Sequence, residues 1–209
     1  MQSYSQDFYI GGILGATVFG GDYPSYRLKD SFKVLASPGF GVFFGKPINE
    51  KLDVKASIYA FHIKGDDNLD PARVGFHTVS IINRPNIEAQ FSAQYAPFTL
   101  WKGSKLPISF FVSGGFGFSK TTISDSDISD KCPVINLIVP LGMGLKTTIK
   151  ENYHVFAQLE YVQGLNDCID GVADFKNRND TYSSFKIGIA RSITPVVGSG
   201  KSIGCPTFK

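Results

Sequence analysis

The chain of 209 residues has no hydrophobic run long enough to form a membrane-spanning helix. Its longest stretches without a charged residue have 14 residues each: Phe8–Gly21, Leu106–Ser119 and Cys132–Leu145. A transmembrane helix needs about 20 apolar residues, whereas a tilted transmembrane strand needs only about 9–11. Each stretch also contains several glycines, which disfavour helices. The stretches are therefore too short for membrane helices but long enough for membrane strands.

Charge is also scarce, since Asp, Glu, Lys and Arg make up 19% of the residues and the net charge is +3. A charge this small does not indicate a nucleic-acid partner, and the 18 Phe and 22 Gly are not typical of a disordered chain. No basic segment followed by an apolar core stands at the start. This indicates either a chain that is not exported or a mature chain without its signal.

Apolar and polar residues alternate with a period of two along much of the chain. In Asn86–Phe98, for example, the odd positions are apolar and the even positions are mostly polar or small. The pattern predicts eight strands and no helix, so the predicted fold class is all-β. The predicted strands are Phe8–Val18, Gly39–Gly45, Leu52–Ile58, Asn86–Phe98, Pro107–Ser119, Asn136–Lys146, Tyr153–Gly164 and Ser184–Ile193.

The links between these strands are alternately long and short. The short links are 47–51, 99–106 and 150–152, and the long polar links are 21–36, 65–84, 124–135 and 166–182. Outer-membrane barrels have short periplasmic turns, longer outer loops and an even number of antiparallel strands. We therefore expect an eight-stranded up-and-down outer-membrane β-barrel over residues 1–195, with a periplasmic C-terminal tail over 196–209. Both termini would then be periplasmic.

A soluble lipocalin-like barrel or a sandwich is the alternative fold. A soluble barrel that binds an apolar ligand should be charged outside, but here one strand face carries almost no charge, as lipid requires. Aromatic residues near strand ends are typical of membrane interfaces. The residues predicted for this position are Tyr95, Trp101, Tyr153 and Tyr161, together with Tyr9, Tyr59, Phe61 and Phe98.

The polar strand faces predict what lies inside the barrel. An eight-stranded barrel is just wide enough for side chains to fill it, and unpaired charges there would be costly. We therefore expect a hydrogen-bonded plug of mixed charge and no general diffusion pore. The predicted lumen residues are Asp53, Lys55, Glu88, Gln90, Gln94, Lys146, Gln158, Glu160 and Lys186.

The sequence offers little for catalysis or for cofactor and metal binding. No Cys-x-x-Cys or His-x-His spacing and no G-x-S-x-G motif occurs, so we expect no catalytic, cofactor or metal site and no small-molecule substrate. A lipid-modifying barrel enzyme that uses His62 or His77 at the rim is the less favoured alternative, because no base and orienting partner can be identified for either.

The three cysteines are an odd number. Cys132 and Cys168 would lie in two outer loops, where an oxidising compartment favours a disulfide, but the loops could equally be too far apart. Cys205 lies in the tail and would be on the other side of the membrane. An unpaired thiol in an exported protein indicates an intermolecular bond, so Cys205 is a candidate partner contact. The alternative is an incidental thiol in a disordered tail.

Several short motifs resemble the PorG family, the small outer-membrane barrel component of the type IX secretion system. The motifs are the glycine-rich start FYIGGILGATVFGGD over Phe8–Asp22, the VFF of strand two, PLGMGLK at the start of the hairpin Leu141–Phe156, DCIDGV over Asp167–Val172, and the ending Cys205-Pro206-Thr207-Phe208. Cys168 departs from the pattern, because an aromatic residue is expected there.

The resemblance implies a bacterial outer-membrane protein that acts in protein transport and gliding motility. It would anchor a periplasmic ring of the lipoprotein PorK and its partner PorN to the outer membrane without being the export channel. The tail residues Cys205, Pro206 and Phe208 are the candidate partner contacts. The alternative function is that of a generic OmpA- or OmpX-like structural or host-contact barrel. An assembly subunit would bind through its turns and tail, whereas a host-contact barrel would use its long loops.

Overall fold

The computed structural model describes residues 8–19, 36–66, 81–100, 107–122, 135–149, 152–166, 169 and 179–193. These residues form eight strands: β1 Phe8–Phe19, β2 Ser37–Pro47, β3 Leu52–Asp66, β4 Ile81–Leu100, β5 Ile108–Thr121, β6 Asn136–Ile149, β7 Tyr153–Gly164 and β8 Thr181–Ile193. Each strand pairs antiparallel with the next, and β8 pairs with β1. The predicted eight-stranded up-and-down barrel is therefore confirmed.

We name the two ends of the barrel by the connections between strands that lie there. The turn end is where β2 ends and β3 begins after a short turn, and the first residue of β1 and the last of β8 lie there too. The loop end is the opposite end, where β1 ends and β8 begins. Residues 194–209, which include the whole of the predicted tail, lie outside the described residues.

The strands are longer than predicted, mainly at the loop end. β3 continues to Asp66 and β4 begins at Ile81, so the predicted limits at Ile58 and Asn86 were wrong. The two strands stay paired beyond the apolar alternation, through Ile63 opposite Arg84. Beyond Ile58 the large apolar residues of β3 change to the inward face, where Tyr59, Phe61 and Ile63 are buried. Backbone pairing continues because it does not depend on which face is apolar.

The predicted alternation of β4 is also interrupted near the turn end. The pairing of β4 with β5 shifts register between Tyr95 and Phe98, which indicates a β-bulge at Ala96 and Pro97. Tyr95 and Phe98 are both exposed, whereas Ala96 is buried. Strict parity had placed Pro97 on the apolar face and Phe98 on the opposite one. A bulge inserts one extra residue and so reverses the parity of the residues beyond it.

The outer surface of the barrel is apolar and carries stacked aromatic pairs. Phe91 stacks on Phe116 with ring centroids 5.8 Å apart, and Phe98 stacks on Phe110 at 5.5 Å. Large apolar side chains on every strand are exposed, among them Leu14, Phe40, Ile58, Phe91, Phe116, Leu141, Leu159 and Ile189. A belt of this size suits lipid rather than water.

Inward aromatic rings lie against inward glycines of the neighbouring strand. Tyr9 is the cross-strand partner of Gly45, Phe111 of Gly144 and Phe156 of Gly188. A Cβ atom added at Gly144 would lie 2.7 Å from Cζ of Phe111, which is too close for two carbon atoms. Glycine therefore makes the room that these rings need inside a narrow barrel.

In the part of the chain that the structure describes, no helix is long and apolar enough to cross a membrane.

Two glycines provide a test of which strand positions face into the barrel and which face outward. Gly144→Val should lower the free energy of unfolding by about 1–3 kcal/mol, because the added carbons collide with Phe111. Gly114→Val is the matched control, since the nearest atom to an added Cβ there is a Leu141 side-chain carbon 3.5 Å away. Urea titration of the heat-modifiable folded band on a gel measures both. Equal midpoints for the two variants would contradict the assignment.

Candidate functional site in the barrel lumen

The centre of the lumen holds one lysine between two glutamates. Lys186 of β8 donates to Oε1 of Glu88 at 2.7 Å and to Oε1 of Glu160 at 2.5 Å. All three side chains are buried, and Lys186 is only 3% exposed. The Tyr182 hydroxyl donates to the second oxygen of Glu88, and Lys186 also lies 4.5 Å from the centroid of the Tyr59 ring. The strands β4, β7 and β8 are thus connected through a single ammonium group.

A second lysine extends the network toward the turn end. Lys55 Nζ donates to Oε1 of Gln158 at 3.2 Å, and Nε2 of Gln158 donates to Glu160 at 3.0 Å. Gln90 Nε2 donates to Oε1 of Glu160 at 3.1 Å, which is the oxygen that Lys186 also binds. The two central lysines and two central glutamates balance in charge. Buried ions without compensation would be costly, so this balance is what allows a charged lumen inside a membrane.

The loop end of the lumen holds apolar side chains with polar ones among them. Ile169, which follows β7, is fully buried there. Its amide donates to Asp180 at 2.7 Å, and the Thr121 hydroxyl donates to its carbonyl. The buried apolar residues of this end include Phe19, Phe61, Ile63, Ile138, Val162 and Tyr182, and the buried polar ones include Arg84, Asn86, Ser119, Thr121, Asn136 and Asp180. The loop-end half of the lumen is therefore filled by side chains of mixed polarity.

The turn end opens into a cavity of about 430 Å³, which we call the vestibule. Its residues include Tyr9, Phe43, Asp53, Lys55, Gln94, Lys146, His154 and Phe156. Asp53 accepts from Lys146 at 2.5 Å across the barrel, and His154 Nε2 lies 2.7 Å from the Ser192 hydroxyl. The vestibule ends at the charged centre of the lumen, since Lys55 belongs to both.

All of the predicted lumen residues face inward in the structure. The central network brings together Lys55, Glu88, Gln90, Gln158, Glu160 and Lys186, and the pair Asp53–Lys146 lies apart from it in the vestibule with Gln94.

The predicted interface aromatics divide into two groups. Tyr95, Phe98, Tyr153 and Tyr161 are exposed on the outer surface, whereas Tyr9, Tyr59 and Phe61 are buried inside the barrel. The prediction for these three was wrong because position near a strand end does not decide the direction of a side chain. Parity does: in β3, Ile58 faces outward, so Tyr59 and Phe61 face inward. Trp101 lies outside the described residues.

The cysteine and tail predictions concern parts of the chain outside the described residues. Cys132, Cys168 and Cys205 all lie there, as do Pro206, Phe208 and His77. His62 lies within β3 and not at its end; it is exposed, with Nδ1 3.0 Å from Oδ1 of Asn83. Among the described residues, no group of three His, Cys, Asp or Glu side chains is placed to hold a metal ion.

Sequence reasoning missed Ile169 and Tyr182. Both were assigned to a polar link, yet Ile169 fills the loop end and Tyr182 binds Glu88. A signal for Ile169 existed, because it is a lone large apolar residue among acidic and small ones in DCIDGV. For Tyr182 the signal was the parity of β8, which places it on the same face as Lys186.

Comparison with solved structures shows the same architecture. Neisserial surface protein A is 11% identical, with 89% of this chain and 97% of that chain covered and a TM-score of 0.53. The outer membrane protein OprG of Pseudomonas aeruginosa is 12% identical, with 90% and 96% covered and a TM-score of 0.50. Ail of Yersinia pestis is 14% identical, with 90% and 99% covered and a TM-score of 0.48.

No protein-family model and no curated protein matches the sequence. The structural likeness shows the fold: a small eight-stranded outer-membrane β-barrel. The apolar outer belt and this fold place the protein in the bacterial outer membrane, in contact with lipid.

The central lysine gives a sharp stability test. Lys186→Met leaves Glu88 and Glu160 buried without their shared cation, which should cost about 3–5 kcal/mol of unfolding free energy. The double variant Lys186→Met/Glu88→Gln restores the charge balance and should recover part of the loss. Lys51→Met, at an exposed turn residue, should change stability by less than about 0.5 kcal/mol.

The three variants and the parent protein can be compared by urea titration of the folded band in the same lipid. A double variant as unstable as Lys186→Met would show that charge balance does not hold the lumen together.

Proposed function

We propose that this protein is a non-conducting anchor in the outer membrane, an outer-membrane subunit of the type IX secretion machinery. In this role it holds the periplasmic ring formed by the lipoprotein PorK and its partner PorN, and it does not export protein itself. The family resemblance of the motifs between Phe8 and Phe208 supports the identity of the machinery. The filled lumen supports the absence of an export channel.

The observation that carries the proposal is the ionic network across the barrel centre. Lys186, Glu88 and Glu160 join three strands around the barrel at distances of 2.5–2.7 Å. The apolar side chains around Ile169 fill the lumen above them. A folded polypeptide, or even a chain in extended form, cannot pass between side chains in direct contact. A barrel filled in this way is suited to holding other proteins at the membrane.

The turn end offers a fixed surface for such a partner. In the β2–β3 turn, Oδ1 of Asn49 accepts from the amides of Lys51 and Leu52, both at 2.9 Å. Ile48 in the same turn is half exposed. The last strand, β8, also ends on this side, at Ile193. We propose that this end is periplasmic and that the tail residues Cys205, Pro206 and Phe208 contact the ring.

We also propose roles for the three cysteines, based on the same placement of the two barrel ends. Cys205 would cross-link or dock to a ring subunit, and Cys132 with Cys168 would form a disulfide between two outer loops. Non-reducing gels of envelopes test the first: Cys205→Ser should abolish a higher band that contains a ring subunit. An identical band pattern in the variant and the parent protein would contradict a covalent link.

Conductance measurements test the filled lumen. In a planar lipid bilayer the purified protein should give no steady open-channel current, because Lys186 contacts both Glu88 and Glu160 across the centre of the lumen. A general porin in the same membrane serves as the positive control. Stable unitary currents from the folded protein would contradict the anchor role.

Partner capture tests the proposed surface. Removal of residues 200–209, or the substitution Ile48→Asp in the turn, should reduce the amount of ring protein that co-purifies from detergent-solubilised envelopes by at least about tenfold. A tenfold loss of affinity corresponds to about 1.4 kcal/mol of binding free energy. Gln163→Ala at the loop end is the matched control. If the control loses the partner and the turn-end variants keep it, the protein is a host-contact barrel that uses its outer loops.

A further inference from the structure

We propose that the vestibule is a binding site for a small aromatic carboxylate. Its volume of about 430 Å³ lies within the range of small-molecule pockets, about 300–1,000 Å³. The proposal does not depend on the secretion partner, because it uses only side chains inside the turn end.

The first reason is an unused hydrogen-bond donor. Gln94 lines the vestibule and is only 4% exposed, yet its Nε2 atom has no hydrogen-bond partner among the described residues. A buried donor without an acceptor carries a cost in stability. An acceptor oxygen in the vestibule would remove that cost. Because Gln94 comes from a strand interior, between Asp53 of β3 and Ser113 of β5, its backbone holds it in place.

The second reason is a cation without a directly bound anion. Lys55 also lines the vestibule, and its one hydrogen bond within the described part of the chain is to the neutral amide of Gln158. None of the described carboxylates lies within salt-bridge distance of its Nζ atom. An ammonium group has three donors, so two remain for a ligand.

The other charges of the vestibule leave this preference for an anion intact. Asp53 and Lys146 neutralise each other at 2.5 Å, and Glu50 lies in the exposed turn at the rim. His154 is engaged on both ring nitrogens, with Thr148 at 3.1 Å and Ser192 at 2.7 Å. Lys55 is therefore the cation that a ligand carboxylate would meet at the inner end of the vestibule.

The third reason is the aromatic wall around these donors. Phe43 lies edge-on to Phe156 with centroids 5.3 Å apart and edge-on to Tyr9 at 6.0 Å. Lys55 Nζ is 4.8 Å from the Phe156 centroid. Aromatic rings favour further edge-to-face partners at such distances. A ligand ring packed on the vestibule side of these rings would direct its carboxylate toward Lys55 and Gln94.

Fluorine NMR on the full-length protein in lipid nanodiscs tests the site. The probe is 4-fluorophenylacetate, and 4-fluorophenylacetamide is its neutral counterpart of the same shape. We expect saturable one-to-one binding of the carboxylate, at least tenfold tighter than the amide and absent from empty nanodiscs. Binding of both compounds with equal affinity, no binding at millimolar concentration, or equal competition by inorganic phosphate would each overturn the proposal.

Two variants assign the contacts. Lys55→Met keeps most of the side-chain length and removes the charge, and Gln94→Leu removes the unused donor. Each should weaken carboxylate binding at least tenfold and leave the weak amide binding within about twofold. Gln94→Leu should also fold at least as well as the parent protein, because the donor it removes has no partner. It therefore remains informative if Lys55→Met fails to fold.

Gln163→Leu, on the outer surface at the loop end, is the control and should bind as the parent protein does. Unchanged carboxylate affinity in a folded Gln94→Leu variant would overturn the assignment of the site. The result is independent of partner capture, so failure of either proposal can be recognised separately.

Discussion

The barrel depends on the position of one ammonium group. Lys186 lies between Glu88 and Glu160, and together with Lys55 it balances the charge of the two glutamates at the centre of the lumen. An eight-stranded barrel has room for side chains but not for the water that would otherwise solvate them. The arrangement follows from two constraints that act together. Lipid requires the outward residues to be apolar, and strict alternation then turns the polar residues inward, where they must satisfy one another.

The interior has three layers with different chemistry. The loop end combines apolar side chains around Ile169 with buried polar ones, the centre is ionic, and the turn end is an open vestibule with aromatic walls and the Asp53–Lys146 pair. The charged centre therefore lies between the vestibule and the loop end.

Much of this fold could be predicted from the sequence, because contact with lipid requires apolar residues at every second position of a strand. The eight strands and the inward charges follow from alternation alone. The failures have physical causes: the bulge at Ala96–Pro97 reverses parity without a strong sequence signal, and β3 stays paired with β4 past Ile58, where its large apolar residues change from the outer to the inner face. The residues of the central network were predicted as a set, but which of them contact one another depends on the stagger of the strands across the barrel. Sequence alone does not give that stagger, and it did not single out Gln94 as a donor without an acceptor.

The last strand carries the cation that earlier strands require. Glu88 belongs to β4 and Glu160 to β7, whereas Lys186 comes from β8, which also closes the barrel against β1. Until β8 is in place, Glu88 and Glu160 lack the ammonium group that binds both of them. The strand that closes the barrel is therefore also the strand that supplies this contact.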